Sequence, residues 1–254
     1  MSTLSISAQP YLDGLPLEVV EEIVTLLDLT DVCKFRLTSK ELAAKASHGR
    51  FKTFFRHKEI DVDDLKKIES FMRMTQSGGL GCLLETLSLV RYDFPESRNV
   101  QGSSTIAAFT DCFKNLEQHS RAKSLREIVL DIWAKDDTGE RCAPNRKHWR
   151  HIWLLAGALY RDAMAAVSES ELLVEGLCFF ATTGNCSLGF DEFASCPTFL
   201  YTPIATLKSL SLSLSSSASL IALEGQDTEL ASNHVEQFTS FLKLLIGLER
   251  LDLH

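Results

Sequence analysis

The segment from Leu12 to Ala46 contains the feature that most restricts the fold, a helix with a wide apolar face. Pro16 lies in its first turn, a position where the missing N–H of proline costs nothing. Placed at 100° steps, the apolar residues between Leu17 and Leu27 cover an arc of roughly 180°, whereas about 100° is enough for packing on one core. A unit of about 40 residues is too small to bury such a face alone. The sequence therefore predicts two packing partners for this helix, one of them from another protein.

Two shorter helices are predicted after the first. Thr30 or Asp31 can cap the second helix, and Thr38 is expected to cap the third in a Thr-Ser-Lys-Glu capping box. These residues resemble the F-box family, whose pattern is Leu-Pro-x-Glu, an apolar doublet, Ile, Leu, Leu, a further Leu and an Arg-x-(Val/Thr)-Ser-Lys element. A Trp that is usual near the third helix of that family is replaced by Leu42. The chain reads Leu15-Pro16-Leu17-Glu18, Val19-Val20, Ile23, Leu26-Leu27, Leu29, Val32 and Arg36-Leu37-Thr38-Ser39-Lys40.

The resemblance implies a trihelical F-box domain at residues 12–50 that docks on a Skp-family adaptor of cullin-RING ubiquitin ligases. The end of a generic three-helix bundle is the alternative that needs no partner. In style of sequence the chain is most similar to fungal F-box proteins. The resemblance also implies that nine residues make or support the adaptor contact, without separating those that face the adaptor from those that face the domain's own core: Leu15, Pro16, Val19, Ile23, Leu26, Leu27, Leu29, Val32 and Leu37.

Composition and charge exclude several classes of partner. The 254 residues include 26 Lys and Arg against 34 Asp and Glu, a formal net charge of −8, so we expect no binding to nucleic acid or to an anionic membrane surface. The chain contains no apolar run of about 18 residues, the length that a membrane-spanning helix needs. Residues 1–11 lack the features of a secretory signal and are expected to be flexible. Seven cysteines without close pairs favour free thiols in a reducing compartment, which predicts an intracellular protein of the cytoplasm or nucleus.

A six-residue pattern, Leu-x-x-Leu-x-Leu, recurs after the first domain. Its copies are 41, 49, 33 and 41 residues apart, farther than the 20–29 residues of typical leucine-rich repeats, and helical patterns lie between them. We therefore expect a mixed α/β (α+β) fold in which residues 51–254 form a curved solenoid of parallel strands and helices, an irregular leucine-rich-repeat-like region. No polar capping repeat follows the last copy, so this array is expected to be truncated at its C-terminus; the alternative is a last strand with an exposed edge that awaits a partner. The copies begin at Leu84, Leu125, Val174, Leu207 and Leu248.

The helix pattern at residues 146–167 combines basic and aromatic side chains, which raises nucleic-acid binding as an alternative. Trp149 and Trp153 fall in its apolar stripe, however, so both tryptophans are expected in the core. Cys142, His148 and His151 could begin a metal site, but no fourth ligand occurs at the expected spacing, so we expect neither metal nor cofactor. Substrate-contacting residues cannot be named individually, and the connections most suited to that role are 91–104, 134–145, 180–203 and 213–230.

No catalytic motif such as Gly-x-Ser-x-Gly or His-Glu-x-x-His occurs in the sequence. The favoured function is therefore that of a non-enzymatic substrate-recognition subunit of a Skp-cullin-F-box ubiquitin ligase, which acts by holding its substrate near the ligase. One alternative is a scaffold that binds the adaptor without ubiquitin transfer. Another is a hydrolase whose Ser/His or Cys/His pair forms only in the folded protein.

Overall fold

The computed structural model describes residues 12–93, 102–195, 204–215 and 228–254. The chain divides into two compact units, one ending at Arg56 and the other beginning at His57. The expected flexible segment at residues 1–11 lies outside the described residues. Parts of three of the connections expected to contact substrate, at residues 94–101, 196–203 and 216–227, also lie outside them.

The described part of the first unit is helical. A 3₁₀ turn at Leu12–Gly14 leads through Pro16 into the first helix. The helices are α1 (Leu17–Thr25), α2 (Leu29–Arg36), α3 (Lys40–Lys45) and α4 (Arg50–Thr53).

The caps of α2 and α3 differ from those predicted. The Asp28 carboxylate accepts a hydrogen bond of 2.8 Å from a backbone N–H in the first turn of α2, and the Ser39 hydroxyl accepts one of 3.1 Å at the start of α3. Thr30 and Asp31 lie inside α2, while the Thr38 hydroxyl donates to a backbone carbonyl of the preceding helix. The predictions were wrong because α2 begins earlier and α3 begins later than the patterns indicated, so other residues occupy the capping positions.

The first unit has a small apolar core of its own. The largest side chain in this core is Phe51 of α4. The Arg36 guanidinium lies 4.0 Å from the centre of the Phe51 ring. Phe55 packs edge-to-face on Phe51 with 5.0 Å between ring centres. The fully buried side chains of this core are Val20, Val24, Val32, Leu42, Ala46 and Phe51.

The second unit contains a principal parallel sheet, four described α-helices and three short 3₁₀ helices at Leu80–Leu83, Arg146–His148 and Phe190–Ser195. Its strands are β1 (His57–Asp61), β2 (Thr86–Tyr92), β3 (Ser124–Leu125), β4 (Glu127–Lys135), β5 (Arg141–Cys142), β6 (Leu173–Val174), β7 (Gly176–Phe179), β8 (Leu188–Gly189), β9 (Ser209–Leu212), β10 (Leu214–Ser215) and β11 (Arg250–Leu253). Its helices are α5 (Leu65–Thr75), α6 (Gly102–His119), α7 (Trp149–Ser170) and α8 (Thr228–Leu244). The six strands β1, β2, β4, β7, β9 and β11 lie side by side in chain order and are parallel. The short pairs β3–β6 and β8–β10 are also parallel, and β5 is antiparallel to β4.

The Leu-x-x-Leu-x-Leu segments align in register across this sheet. The second apolar residue of each segment is paired with the second apolar residue of the segment on the neighbouring strand. The third apolar residues are paired in the same way. On β2, β4, β7 and β9 these side chains are buried against the helices, and they form the centre of the core. The paired rows are Leu87, Ile128, Leu177, Leu210 and Leu251, and Leu89, Leu130, Phe179, Leu212 and Leu253.

The expected combination of a helical N-terminal region and a parallel-strand sheet with helices is confirmed, but the curved leucine-rich-repeat solenoid is not. A solenoid stacks units of similar length and shape. Here β4 has nine residues and β7 has four, and the helices α5 and α7 have eleven and 22. The Leu-x-x-Leu-x-Leu pattern therefore identified the strands, while the uneven connections form no regular repeat.

One prediction for α7 was wrong. Ile152 and Tyr160 are buried as expected, but Trp149 and Trp153 are only half-buried. The two indole rings pack on each other edge-to-face, with 4.9 Å between their centres. They lie in the first two turns of the helix and pack against each other instead of entering the core, although Ile152 between them is fully buried.

Candidate functional site

Exposed apolar side chains lie on α1 and α2 of the first unit and directly after these helices. Leu26, just after α1, has 81% of its surface exposed, and Leu37, just after α2, has 87%. Val19 lies two turns before Leu26 on α1, and Leu29 lies two turns before Leu37 on α2, so each pair shares a helix face. All four side chains are exposed. We call Val19, Leu26, Leu29 and Leu37 the apolar surface.

The structure separates the nine sequence-predicted site residues into two groups. Val32 belongs to the unit's core, Leu15 and Leu27 are half-buried against that core, and Ile23 is half-buried. The exposed residues are Pro16, Val19, Leu26, Leu29 and Leu37. The adaptor role of both groups stays a prediction.

Two further residues of this region were not predicted. Leu17 is exposed at the first position of α1, although its place in the wide apolar arc could have marked it. Cys33 is an exposed free thiol midway between Leu29 and Leu37. Since residues four apart share a face of a helix, Cys33 extends the apolar surface along α2.

Backbone contacts hold the entry to α1 in place. The Lys45 ammonium group on α3 donates hydrogen bonds to the carbonyl oxygens of Asp13, at 2.6 Å, and Leu15, at 2.7 Å. These carbonyls belong to the segment just before α1, where they have no helical partner. Lys45 therefore fixes the position of the Leu15-Pro16 pair.

The second unit presents a mostly polar sheet face. Successive side chains of a strand point to opposite faces, so the residues between the buried leucines lie on the side away from the core. We call this side the polar face. One row across it consists of paired residues from all six parallel strands: Glu59, Ser88, Val129, Cys178, Ser211 and Asp252.

A buried carboxylate lies on the polar face of β4. Asp131 accepts hydrogen bonds from the hydroxyls of Thr182, at 2.5 Å, and Thr183, at 2.8 Å. Burial raises the pKa of Asp131, and the two hydroxyl donors oppose that rise. Burial also raises the pKa of the neighbouring Cys178 thiol, which disfavours its thiolate form.

An ion pair on the polar face joins β5 to the middle of the edge strand β1. Arg141 of β5 donates from both terminal nitrogens to the carboxylate of Glu59 on β1. Its guanidinium also lies 5.6 Å from the ring centre of Tyr92, and the Lys135 ammonium lies 4.8 Å from the same ring. Such a bidentate arginine–carboxylate pair requires a specific geometry of the two groups. It holds the β4–β5 hairpin across β2 to the edge strand β1.

A groove of about 750 Å³ runs along the amino ends of the same strands. Charges alternate along its rim, because the residues before β2, β4, β7, β9 and β11 are in turn acidic, basic, acidic, basic and acidic. Lys208 and Glu175 make an ion pair of 2.8 Å within this rim. The rim residues are Glu85, Arg126, Glu175, Lys208 and Glu249, and the groove is also lined by His57, Thr86, Glu127, Ser209 and Arg250.

A second cavity, of about 520 Å³, lies at the start of α7. Its buried carboxylate, Asp93, is 3.4 Å from His151 Nε2 and 4.0 Å from His148 Nδ1. Trp149 and Arg150 also line it. No cluster of three or more His, Cys, Asp or Glu side chains suited to a metal ion occurs among the described residues, and the Cys142, His148 and His151 combination considered above is therefore not assembled there.

The core face of β2 carries a buried arginine next to this cavity. The Arg91 guanidinium lies 3.3 Å from the Asp63 carboxylate. Burial raises the pKa of Asp63 and that of Asp162 on α7, while the charge of Arg91 opposes both rises. The arrangement neutralises a buried charge and belongs to the core of the second unit.

Within the described residues, no helix combines the length and the apolar character that crossing a membrane requires. Six cysteines of the described chain are free thiols: Cys33, Cys82, Cys112, Cys142, Cys178 and Cys186.

The comparison with known families gives one match, which lies within the first unit. The family model described as the F-box domain matches residues 12–54. That range includes α1 to α4, the apolar surface and Phe51 of the core. No curated protein matches the chain. The F-box domain indicates a role in binding the adaptor of Skp-cullin-F-box ubiquitin ligases.

Proposed function

We propose that this chain is the substrate-recognition subunit of a Skp-cullin-F-box ubiquitin ligase. Its first unit would bind a Skp-family adaptor, and its second unit would bind a protein substrate. One observation carries the proposal: the F-box match at residues 12–54 coincides with an apolar surface that the unit leaves exposed.

The exposed leucines support the adaptor contact. Burial of a leucine side chain is worth about 1.5–3 kcal/mol, so a unit with few core residues has little reason to expose Leu26 and Leu37 unless a partner covers them. We propose that Pro16, Val19, Leu26, Leu29 and Leu37 touch the adaptor. Leu15, Ile23, Leu27 and Val32 would support them from within the unit.

The polar face and its groove are the proposed substrate surface. Ser88 and Ser211 offer hydroxyls that donate and accept hydrogen bonds, and the charged rim beside them can select a partner by complementarity. Recognition by the strand repeats, kinship with fungal F-box proteins and an intracellular location are parts of this proposal. The chain would have no catalytic chemistry of its own and would act by proximity.

Reconstituted ubiquitin transfer tests the proposal. The chain is mixed with adaptor, cullin, RING subunit, charged E2 enzyme and ubiquitin, and ubiquitin on the chain's own lysines is measured. The proposal predicts modification that disappears when the adaptor is omitted. The scaffold alternative predicts adaptor binding without modification, and a chain that binds no adaptor contradicts both.

A further inference from the structure

The cavity at the start of α7 contains a buried carboxylate with an unsatisfied oxygen. The Asp93 side chain lines this cavity of about 520 Å³ and is only 5% exposed. His151 Nε2 lies 3.4 Å from Asp93 Oδ1 and His148 Nδ1 lies 4.0 Å from Oδ2, but no described residue donates a hydrogen bond to Oδ1. A buried acceptor without a donor costs stability. This oxygen therefore indicates a ligand that brings a donor into the cavity.

The exposed side of the same cavity is basic. Lys147 and Arg150 line it together with the two imidazoles, and both of these cations are exposed. They belong to the start of a 22-residue helix, and the side chain of its N-cap residue, His148, makes no capping hydrogen bond. The amino end of a long helix carries free backbone N–H groups and a partial positive charge, which favour a bound anion. This side of the cavity is therefore suited to a phosphate group.

An indole ring is the third feature of the cavity. Trp149 lines it and is held by edge-to-face packing on Trp153, with 4.9 Å between the ring centres. Neither indole enters the core, so the sequence-based objection to a nucleotide-type ligand at α7 does not apply. The planar guanidinium of Arg150 lies 5.2 Å from the centre of the Trp149 ring. The ring is thus accessible to a planar group, and nucleobases stack well on indoles.

We propose that this cavity binds a nucleoside monophosphate. Asp93 accepts hydrogen bonds from the ribose hydroxyls, as an acidic residue does in dinucleotide-binding folds. Lys147 and Arg150 pair with the phosphate, and the base stacks on Trp149. The cavity volume falls within the range of roughly 300–1,000 Å³ that is usual for small-molecule sites. The proposal is independent of the ligase function, because all of its residues belong to the second unit and its test needs no adaptor.

Simpler ligands match only part of the cavity. A metal ion is not indicated, since the described residues include no side-chain cluster suited to one. A cationic ligand would pair with Asp93 but would be repelled by Lys147 and Arg150. A phosphate ion alone would pair with those two cations and leave the buried carboxylate without a donor. A ligand with hydroxyls, a planar ring and a phosphate satisfies all three features at once.

The ribose contact gives the most specific test. Isothermal titration of the full chain compares AMP with 2′-deoxy-AMP, which lacks one hydroxyl. We expect a dissociation constant on the order of 10–100 µM for AMP and binding at least about tenfold weaker for 2′-deoxy-AMP, because Asp93 then loses a donor. In Asp93→Asn the two ligands should differ by about threefold or less. Collapse of the cavity would weaken both ligands alike, so their ratio separates a lost contact from a lost fold.

Two further variants test the phosphate and base contacts separately. Lys147→Gln should weaken AMP at least about fivefold and leave adenosine unchanged, since adenosine has no phosphate. Trp149→Leu should weaken AMP and adenosine by the same factor, because both ligands carry the base. Lys114→Gln, at an exposed position of α6 outside the cavity, is the matched control and should bind every ligand like wild type.

Three results would overturn the proposal. The first is a wild-type chain that binds no AMP at concentrations up to about 1 mM. The second is equal affinity of wild type for AMP and 2′-deoxy-AMP, which would mean that Asp93 does not contact the ribose. The third is inorganic phosphate that binds as tightly as AMP, which would reduce the cavity to a site for anions only.

Discussion

The Lys45 ammonium group donates a hydrogen bond of 2.7 Å to the carbonyl oxygen of Leu15, 30 residues earlier in the chain. This bond joins α3 to the segment that enters α1. It connects the Leu15-Pro16 pair of the F-box pattern with the last residue of α3. The apolar surface of α1 therefore depends on a lysine that the sequence pattern does not include.

Replacement of this lysine tests that dependence. Hydrogen bonds from a charged group contribute about 1.5–3 kcal/mol, so Lys45→Met is expected to destabilise the first unit by about 1–2 kcal/mol after solvent screening. All three tryptophans lie in the second unit, so the measurement is hydrogen exchange of α1 by mass spectrometry. Lys52→Met, at an exposed position, is the control. Unchanged exchange in Lys45→Met would show that the two bonds contribute little.

The core of the sheet should be sensitive to truncation at its central strand. Leu130 is fully buried between Leu89 and Phe179. Leu130→Ala is expected to lower the free energy of unfolding of the second unit by about 2–5 kcal/mol. Leu154→Ala, at an exposed position, is expected to change it by less than about 0.5 kcal/mol. Tryptophan fluorescence during urea unfolding measures both, and equal effects would contradict the assigned register.

Part of the fold could be predicted from the sequence because it depends on local periodicity. The alternation in Leu-x-x-Leu-x-Leu fixes which residues of β2 and β4 face the core. The pair between Arg141 and Glu59 could not be predicted, since it joins residues 82 positions apart and no local pattern links them. The prediction that Trp149 and Trp153 lie in the core was wrong for a related reason. Helical periodicity locates an apolar stripe, but it does not show which of its side chains the neighbouring elements cover.

The nine candidate residues show the same limit within the F-box pattern. Leu26 and Leu27 are adjacent and equally apolar, and only the positions of α2 and the core determine that Leu26 is exposed while Leu27 is half-buried.

The Asp131 carboxyl predicts a particular pH dependence. Burial raises its pKa in the folded state above the unfolded value of about 3.9. Between those two values the folded chain binds more protons than the unfolded chain, so the contribution to stability is present at low pH and is lost as the pH rises through the folded-state pKa. The difference in unfolding free energy between wild type and Asp131→Asn should therefore decrease as the pH rises from about 4. Asp137→Asn, in the exposed turn nearby, is the control variant. A difference that increases with pH would mean that the hydrogen bonds from Thr182 and Thr183 lower the pKa of Asp131 more than burial raises it.

The buried thiols should resist alkylation. Burial raises the pKa of Cys112 to about 12, so at pH 8 its thiolate fraction is on the order of a thousandfold below that of an ordinary cysteine. Cys33 is exposed. Iodoacetamide labelling followed by peptide mapping should modify Cys33 in the native chain and Cys112 only after denaturation. Rapid native labelling of Cys112 would contradict the packing between α5 and α6.

Adaptor affinity tests the central claim most directly. Isothermal titration of a Skp-family adaptor into the full chain compares wild type with Leu26→Ser/Leu37→Ser, and Leu154→Ser in the second unit serves as the control. Because each buried leucine is worth about 1.5–3 kcal/mol, the double variant should bind about a hundredfold more weakly or worse, while the control binds like wild type. A double variant that binds as tightly as wild type, or a wild-type chain that does not bind, would contradict the assignment of the apolar surface to the adaptor.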